Sequence, residues 1–437
     1  MLPTYEQLRT SLTQVILDKA EQGHITDGLA TELGQVADSY DDLRAFAHRL
    51  RDLPVNHDWP YVEPVSADEI SSECDPDRVM SAWGTVGDAA ERIRAAFFAR
   101  VSGCMLGKPF EIFITIDEIE TALASTDGWP LTDYPTEAAL RALPTLQGQW
   151  RELARERIAH VAVDDDINYT VLAMQLLERR GAAFTHDDMA TLWMYNLPVL
   201  ATFGPERTIL LRAGFHTLAD GGAPYEEWVS ELNPGAELCG ALIRADAYGY
   251  ACLGDPEQAA RLAQRDASFT HQRTGVYGPM FIAATIAITP FVDRPLDAAR
   301  EGLRYVPQRS RFAERTRACL EMVDASNDWR EAHARIRERF GEYGFCRIYQ
   351  EIGTVLNTLA FARDAGDGIC IQVMQGNDTD SFGATAGSIL GAFYGAIDER
   401  WTRPFKDRLQ TALATFHESS LSAVAERMAA LPTRIAE

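Results

Sequence analysis

The stretch QGNDTDSFGATAGSILGAFYGAI, Gln375–Ile397, constrains the fold of this chain more than any other. Within it Gly383, Gly387, Gly391 and Gly395 recur every four residues, and the run from Ser381 to Ile397 carries no charge. Residues four apart lie one above another on an α-helix. A glycine inside a helix costs about 0.5–1 kcal/mol relative to alanine, so a ridge of them is tolerated where another backbone must come close. The spacing predicts a central, tightly packed helix whose N-terminus, with Asp378, Asp380 and Ser381, is held rigidly. A membrane span needs at least about 17 apolar residues. This run only reaches that minimum, and Asp378 and Asp380 before it and Asp398, Glu399 and Arg400 after it carry charge. A buried core helix is expected, and no membrane partner.

Helical patterns continue through most of the chain. TYEQLRTSLTQVILDKAEQ places Leu8, Leu12, Val15 and Ile16 on one face, and ATELGQVADSYDDLRAFAHRLRDL follows as a second amphipathic helix. LPVNHDWPYVEPVSADEI carries three prolines and is expected to be an extended connector. GDAAERIRAAFFARVSGCMLG is an apolar, small-residue-rich helix, ended where Pro109 should force Lys108 out of helical geometry. INYTVLAMQLLERR carries Ile167, Val171 and Met174 on one side. TRACLEMV, WREAHARIRERF and EIGTVLNTLAFARDAG are further helices, the last with Gly366 as its expected C-cap. ICIQVM is the best strand candidate, and it is short. The expected class is all-α: one large compact helical domain over residues 86–437, preceded by a helical extension and connector over residues 1–85.

Lysine and arginine total 41 against 64 aspartates and glutamates, a formal charge of −23. Such a field repels phosphate backbones, so nucleic acid is not the expected partner. A small phosphorylated ligand held by a metal or a single arginine stays compatible with it. The seven cysteines are scattered without CxxC spacing, the pattern of reduced thiols in a cytoplasmic protein. MLPTYEQLRTSLTQ lacks the basic and apolar regions of a signal peptide. Oligomeric state is left open.

Four stretches carry candidate chemistry. VAVDDDINYT opens a helix with Asp164, Asp165 and Asp166. Aspartate is favoured at helix starts, but a cap uses one or two carboxylates, and three in a row repel one another. A bound divalent cation removes that cost, so cap and metal readings both stand. Asp378 and Asp380, beside the Ser381 hydroxyl, repeat the pattern at a second helix start. Together the clusters could form an oxygen-rich cage for one or two Mg²⁺ ions, able to clamp sugar hydroxyls and orient a water. In DASFTHQRTGVYG, His271 precedes a glycine-flanked turn, Gly275 to Gly278, a setting that suits a ligand loop as well as a structural histidine. In CGALIRADAYG, Arg244 can pair with a phosphate or with Asp246, and spacing alone favours Asp246.

In order and content these stretches resemble the ADP-ribosylglycohydrolase family, which includes the dinitrogenase-reductase-activating glycohydrolases. The resemblance runs through GCMLGKPFE, DDDINYT, CGALIRADAYG, Thr270-His271 and GNDTDSFGATAGSILGAFYG, across residues 90–400. It implies a compact all-α domain and a binuclear Mg²⁺ site. It also implies hydrolysis of the glycosidic bond of an ADP-ribosyl group on a protein or small-molecule acceptor. By position Asp165, Asp166, Asp378, Asp380 and Ser381 are the implied metal ligands, with Asp164 where many members have a ligating threonine. His271, Gly275 and Tyr277 are implied to line the ligand cleft, with Asn377 beside them. Gly240 to Arg244 are implied near the diphosphate, and Glu111 where related enzymes place a gating glutamate. Three departures stand out: Lys108-Pro109 for the usual Asp-Ala, Ile167 for a threonine, and Ser381 for a threonine.

The mechanism so implied uses Asp378 or Asp165 as base towards a water and Glu111 to protonate or gate the leaving group. The transition state has oxocarbenium character. Three other readings stay open. One is a DxD phosphatase, in which ICIQVM would be the strand before a nucleophilic aspartate. A second is the same fold acting on another ribosyl or nucleoside-type substrate. The third is a non-catalytic ADP-ribose-binding protein.

Overall fold

The computed structural model describes residues 3–111, 114–146, 148, 150–217 and 225–436. Among these residues the chain is all-α, with 22 α-helices, short 3-10 turns and no β-strand. ICIQVM is therefore not a strand: it lies in the helix Ala365–Met374, capped by the Asp364 side chain, which accepts from the Asp367 N–H at 2.8 Å. Its apolar run arises because nearly every face of that helix is buried, and periodicity alone cannot separate such a helix from a buried strand. Gly366 sits in the first turn of this helix rather than capping the preceding one, which ends at Phe361.

The ridge helix, Thr379–Tyr394, packs along the partner helix, Ala89–Gly107. Contacts step by four residues on both: Gly107 meets Thr379, Gly103 meets Gly383, Ala99 meets Gly387 and Ala95 meets Gly391. A Cβ on Gly383 would stand 2.7 Å from the Gly103 carbonyl oxygen, and one on Gly391 would stand 2.6 Å from that of Ala95. The bare ridge is thus matched by Gly103 and Gly107 on the other side. Gly395 differs from the ridge expectation: it is the C-cap, at φ +67°, a conformation that glycine adopts without a Cβ penalty. Lys108 also departs from expectation. It keeps right-handed helical angles, and the partner helix runs on into a 3-10 turn, Lys108–Phe110.

Arg100 of the partner helix is fully buried and gathers three segments. Its guanidinium donates to Asp246 Oδ2 at 2.6 Å, to the Asp166 carbonyl at 3.0 Å and to the Ile243 carbonyl. The start of the aspartate helix, Asp165–Arg180, is thereby fixed relative to the ridge.

The N-terminal helices have a small core of their own, built from Leu12, Val15, Ile16, Leu33, Leu43, Phe46 and Leu50. Three helices form it, not two. Leu29–Gln35 and Tyr40–Arg51 are separated at Ser39, whose hydroxyl accepts from the Asp42 N–H. Buried Arg311 ties this piece down: it donates to the Glu21 carbonyl at 2.9 Å and pairs with Glu63 at 2.8 Å and Glu237 at 2.7 Å. The connector runs over the main body through Val62 N–H to Arg309 O and Trp83 N–H to Gly254 O.

The ridge makes a direct prediction. A methyl on Gly387 would collide with the Ala99 backbone, whereas a methyl on exposed Gly34 would meet nothing within 4 Å. Gly387→Ala should lower unfolding free energy by about 1–3 kcal/mol or more through overpacking. Gly34→Ala should be neutral or raise it by up to about 1 kcal/mol. Urea titration of the two variants checks both signs.

Candidate active site

Two helix starts converge in the interior. Asp164 is the N-cap of the aspartate helix, its Oδ1 accepting from the Asp166 N–H at 2.9 Å. Its Oδ2 takes the Lys108 ammonium. Asp378 occupies the N-cap position of the ridge helix, and Asp380 lies in its first turn. Ser381 Oγ donates to Asp166 Oδ2 at 3.2 Å and so joins the two starts.

Around this junction lies a cavity of about 200 Å³. Glu111, Asp165, Asp378, Asp380 and Ser381 line it, with Tyr169, Glu206 and Gly240 beside them. Phe203 and Phe345, both exposed, belong to its lining as well. Among the described lining residues there is no lysine or arginine.

The carboxylates are short of partners. Asp166 Oδ1 and Asp380 Oδ1 are buried without a hydrogen bond, and the nearest cation to Asp166 Oδ1 is Arg100 Nη2 at 3.6 Å. Burial, and then neighbouring negative charge, pushes Asp165, Asp166 and Asp378 well above the usual carboxylate range. The same causes raise Asp380 to about 6 and Glu111 to about 9. Asp164 goes the other way: burial raises it, but the Lys108 charge and hydrogen bonds outweigh that and lower it. Lys108 is held charged by Asp164 and Asp380 despite burial. The orphaned carboxylate oxygens of Asp166 and Asp380 fit a hard divalent cation, although the tightest donor groupings among the described residues, Cys104 with Asp164 and Asp166 and Cys239 with Cys346 and Asp378, each include a thiol. Asp165, Asp166, Asp378, Asp380 and Ser381 have the donors for it, while Asp164 is already committed to its cap and to Lys108.

Of the other residues singled out in the sequence, Gly240 lines the cavity, its Cα facing the Glu206 carboxylate. Arg244 is spent inside the protein. It pairs with Asp266 and with Glu206 at 2.7 Å, donates to Thr270 Oγ1 at 2.7 Å, and packs near the faces of Tyr169 and Trp193. Asp246 belongs to Arg100 instead, which corrects the pairing expected from spacing. His271, Gly275 and Tyr277 are buried and are not among the cavity-lining residues. His271 Nδ1 bonds Thr270 Oγ1 at 2.7 Å, and burial keeps the ring neutral. The expected turn after it is the start of a helix, Thr274–Ile288, in which Tyr277 donates to the Pro64 carbonyl at 2.5 Å. Gly275 lies against the Ala236 carbonyl. Asn377 takes left-handed angles, φ +67°, in the turn before Asp378.

Sequence reasoning missed several lining groups. Tyr169 follows Asp165 by four residues, so helical spacing could have found it; its hydroxyl is buried without a partner. Glu206, Cys239 and Cys346 carried no local signal. Both thiols donate to Asp378 Oδ2, at 3.3 and 3.2 Å. Buried Glu351 accepts from the Asp378 N–H at 3.3 Å.

This all-α frame sets paired aspartates at two buried helix starts beside one cavity. The sequence profile of the ADP-ribosylglycohydrolase family matches residues 85–433, and the chain belongs to that family. Membership suggests a glycohydrolase acting on ADP-ribosyl groups, in a family that is typically metal-dependent. A solved structure titled "ADP-ribosylglycohydrolase-related protein complex" is similar at 18% identity and a TM-score of 0.47, over 80% of this chain and 100% of that one. A comparison with curated proteins gave no match.

The raised carboxyls predict a pH dependence. Their folded pKa values lie above the unfolded values near 4, so their contribution to stability is complete below that pH and is lost as pH rises through the folded values. The thermal midpoint of metal-free protein should fall between about pH 5 and pH 9, through Asp380 near 6 and Glu111 near 9. Added Mg²⁺ should restore progressively more of it as pH rises. A profile unaffected by Mg²⁺ would contradict the assignment.

Proposed function

We propose that this protein is a Mg²⁺-dependent hydrolase that cleaves the glycosidic bond of an ADP-ribosyl group from a protein or small-molecule acceptor. The observation that carries the reading is the convergence of Asp165, Asp378, Asp380 and Ser381 on one cavity, with Asp166 joined to it through Ser381 and with Asp166 Oδ1 and Asp380 Oδ1 buried without a hydrogen bond. Family membership supports it. The exposed rings of Phe203 and Phe345 suit stacking on a nucleobase. Residues 86–437 are the proposed catalytic domain and residues 1–85 a helical extension. Seven free cysteines fit a cytoplasmic setting.

Bound magnesium at those oxygens supplies charge for the ribose hydroxyls and an oriented water. The chain's own groups divide the proton work. Glu111, raised by burial, holds a proton at neutral pH and can donate it to the leaving group. Asp165 lines the cavity and is the proposed base, a role that requires a bound cation to ionise it because burial and its neighbours raise its pKa; Asp378 Oδ2 is already occupied by two thiols. Ser381 orients Asp166.

A second reading has one specific observation behind it. Arg244 is fully paired, and the described lining carries no cation. That favours an uncharged nucleoside-type substrate, because a diphosphate in an acidic cavity depends wholly on metal for neutralisation.

Thermal unfolding with Mg²⁺, with ADP-ribose and with both should give the largest rise for the pair; a ligand at 100 times its Kd stabilises by about 2.7 kcal/mol. Asp380→Ala should lose that synergy and turnover together. Glu111→Gln should keep the synergy and lose about 10²–10⁴-fold in turnover on ADP-ribosyl conjugates. Synergy with a ribonucleoside but not ADP-ribose would select the second reading. Synergy without turnover on any conjugate would make the protein a binder.

A further inference from the structure

Beside the carboxylates stands a group of different chemistry. Leu238 and Arg347 form an antiparallel bridge, and next to it the Cys239 N–H donates to the Cys346 carbonyl at 3.1 Å. Two distant chain segments are thus fastened with cysteines facing each other. Both cysteines line the cavity, and both Sγ atoms sit within 3.3 Å of the same oxygen, Asp378 Oδ2. The two sulfurs and one carboxylate oxygen all lie within 4.8 Å of one another. Cys346 is held at φ +61°, a conformation uncommon for a residue with a side chain, and it is this residue that carries its thiol to Asp378.

We propose that Cys239, Cys346 and Asp378 form a binding site for a thiophilic divalent cation, with Zn²⁺ as the type ion. Zinc takes thiolate at about 2.3 Å and carboxylate at about 2.0–2.2 Å in tetrahedral sets. Ligand atoms in such a set stand roughly 3.3–3.8 Å apart, which the grouping reaches with small side-chain movements. Among the described residues the grouping offers three protein ligands, and all three line the cavity. Three protein ligands with an open position is the arrangement of a zinc site that can take a water or a ligand atom. Binding displaces the two S–H protons, and any proton on Asp378, to solvent, so metal uptake releases at least two protons. The donor set is soft where the neighbouring one is hard. The two thiols therefore discriminate against Mg²⁺, while Asp378 is common to both sets. Occupancy would take Asp378 Oδ2 from the thiols and make the state of that carboxylate sensitive to thiophilic metal.

Cobalt(II) is the probe, added to reduced, metal-free, full-length protein. One equivalent should produce thiolate-to-cobalt charge-transfer absorption in the near ultraviolet and the strong visible bands of a tetrahedral ion. Zn²⁺ should bleach both, and Mg²⁺ should bleach neither. Cys346→Ser and Cys239→Ser should each lose the charge-transfer band of the native site, while Cys319→Ser, buried and outside the cavity lining, should keep it. X-ray absorption of the zinc-loaded wild type should show a sulfur shell, a readout that needs no variant to fold. Absence of the band in the wild type, its persistence in Cys346→Ser, or a zinc shell of oxygen and nitrogen alone would overturn the proposal. So would a Cys239–Cys346 disulfide formed on mild oxidation in a protein that shows no cobalt signal when reduced. None of these readouts measures turnover or uses ADP-ribose, so failure here and failure of the glycohydrolase reading are separate results.

Discussion

The near-contact of two backbones, Gly103 against Gly383, is the constraint on which the rest depends. Only glycine allows it, and the approach repeats at Ala95 with Gly391, Ala99 with Gly387 and Gly107 with Thr379. The last of these lies one residue from Asp380. Thr379 Oγ1 donates to the Gly107 carbonyl at 2.8 Å, so the packing seam ends in a hydrogen bond at the mouth of the ridge helix. Lys108 follows at once. The same seam that seats the helix therefore sets a lysine beside the carboxylates.

From that seam the charges are arranged outward. Arg100, just under one helical turn before Gly103, anchors the aspartate helix and the segment 243–246. Arg244 anchors the next layer, through Glu206 and Asp266. Each buried guanidinium has its carboxylate, as buried charges require. The cavity carboxylates are the exception. Removing charged groups from water is costly unless they are paired or bind metal, and Lys108 is committed to Asp164. The imbalance is thus concentrated at Asp165, Asp378 and Asp380, with buried Glu351 beside Asp378, while Asp166 has Arg100 at 3.6 Å.

The sequence made the all-α class, the central helix and the two aspartate clusters legible, because each rests on a short-range rule: four-residue spacing, helix-start chemistry and like-charge repulsion. What it hid is non-local. Gly103 and Gly107 gain their meaning only opposite the ridge. Arg244 finds Glu206 and Asp266, which no spacing rule relates to it, instead of nearby Asp246. Cys239 and Cys346 lie in unrelated segments that meet at a single bridge. ICIQVM illustrates the limit from the other side, since an apolar run buried all round carries no periodicity to read. The histidine region was misjudged for a similar reason: THQRTGVYG has the composition of a loop, yet the glycines serve close helix packing against Ala236 and Leu242.

Charge also bears on what the cavity can hold. Its described lining offers Glu111, Asp165, Glu206, Asp378 and Asp380 and no basic side chain, and the whole chain carries −23. Arg244, the cation that the motif brings nearest, faces Glu206 and the aromatic rings of Tyr169 and Trp193. An anionic ligand there meets no basic side chain among the described lining residues. Either bound cations carry the attraction, in which case metal and ligand affinities are thermodynamically linked and each must raise the other by the same factor, or the ligand that fits is neutral. On the first alternative, the acidic lining makes metal occupancy the gate for a phosphorylated substrate.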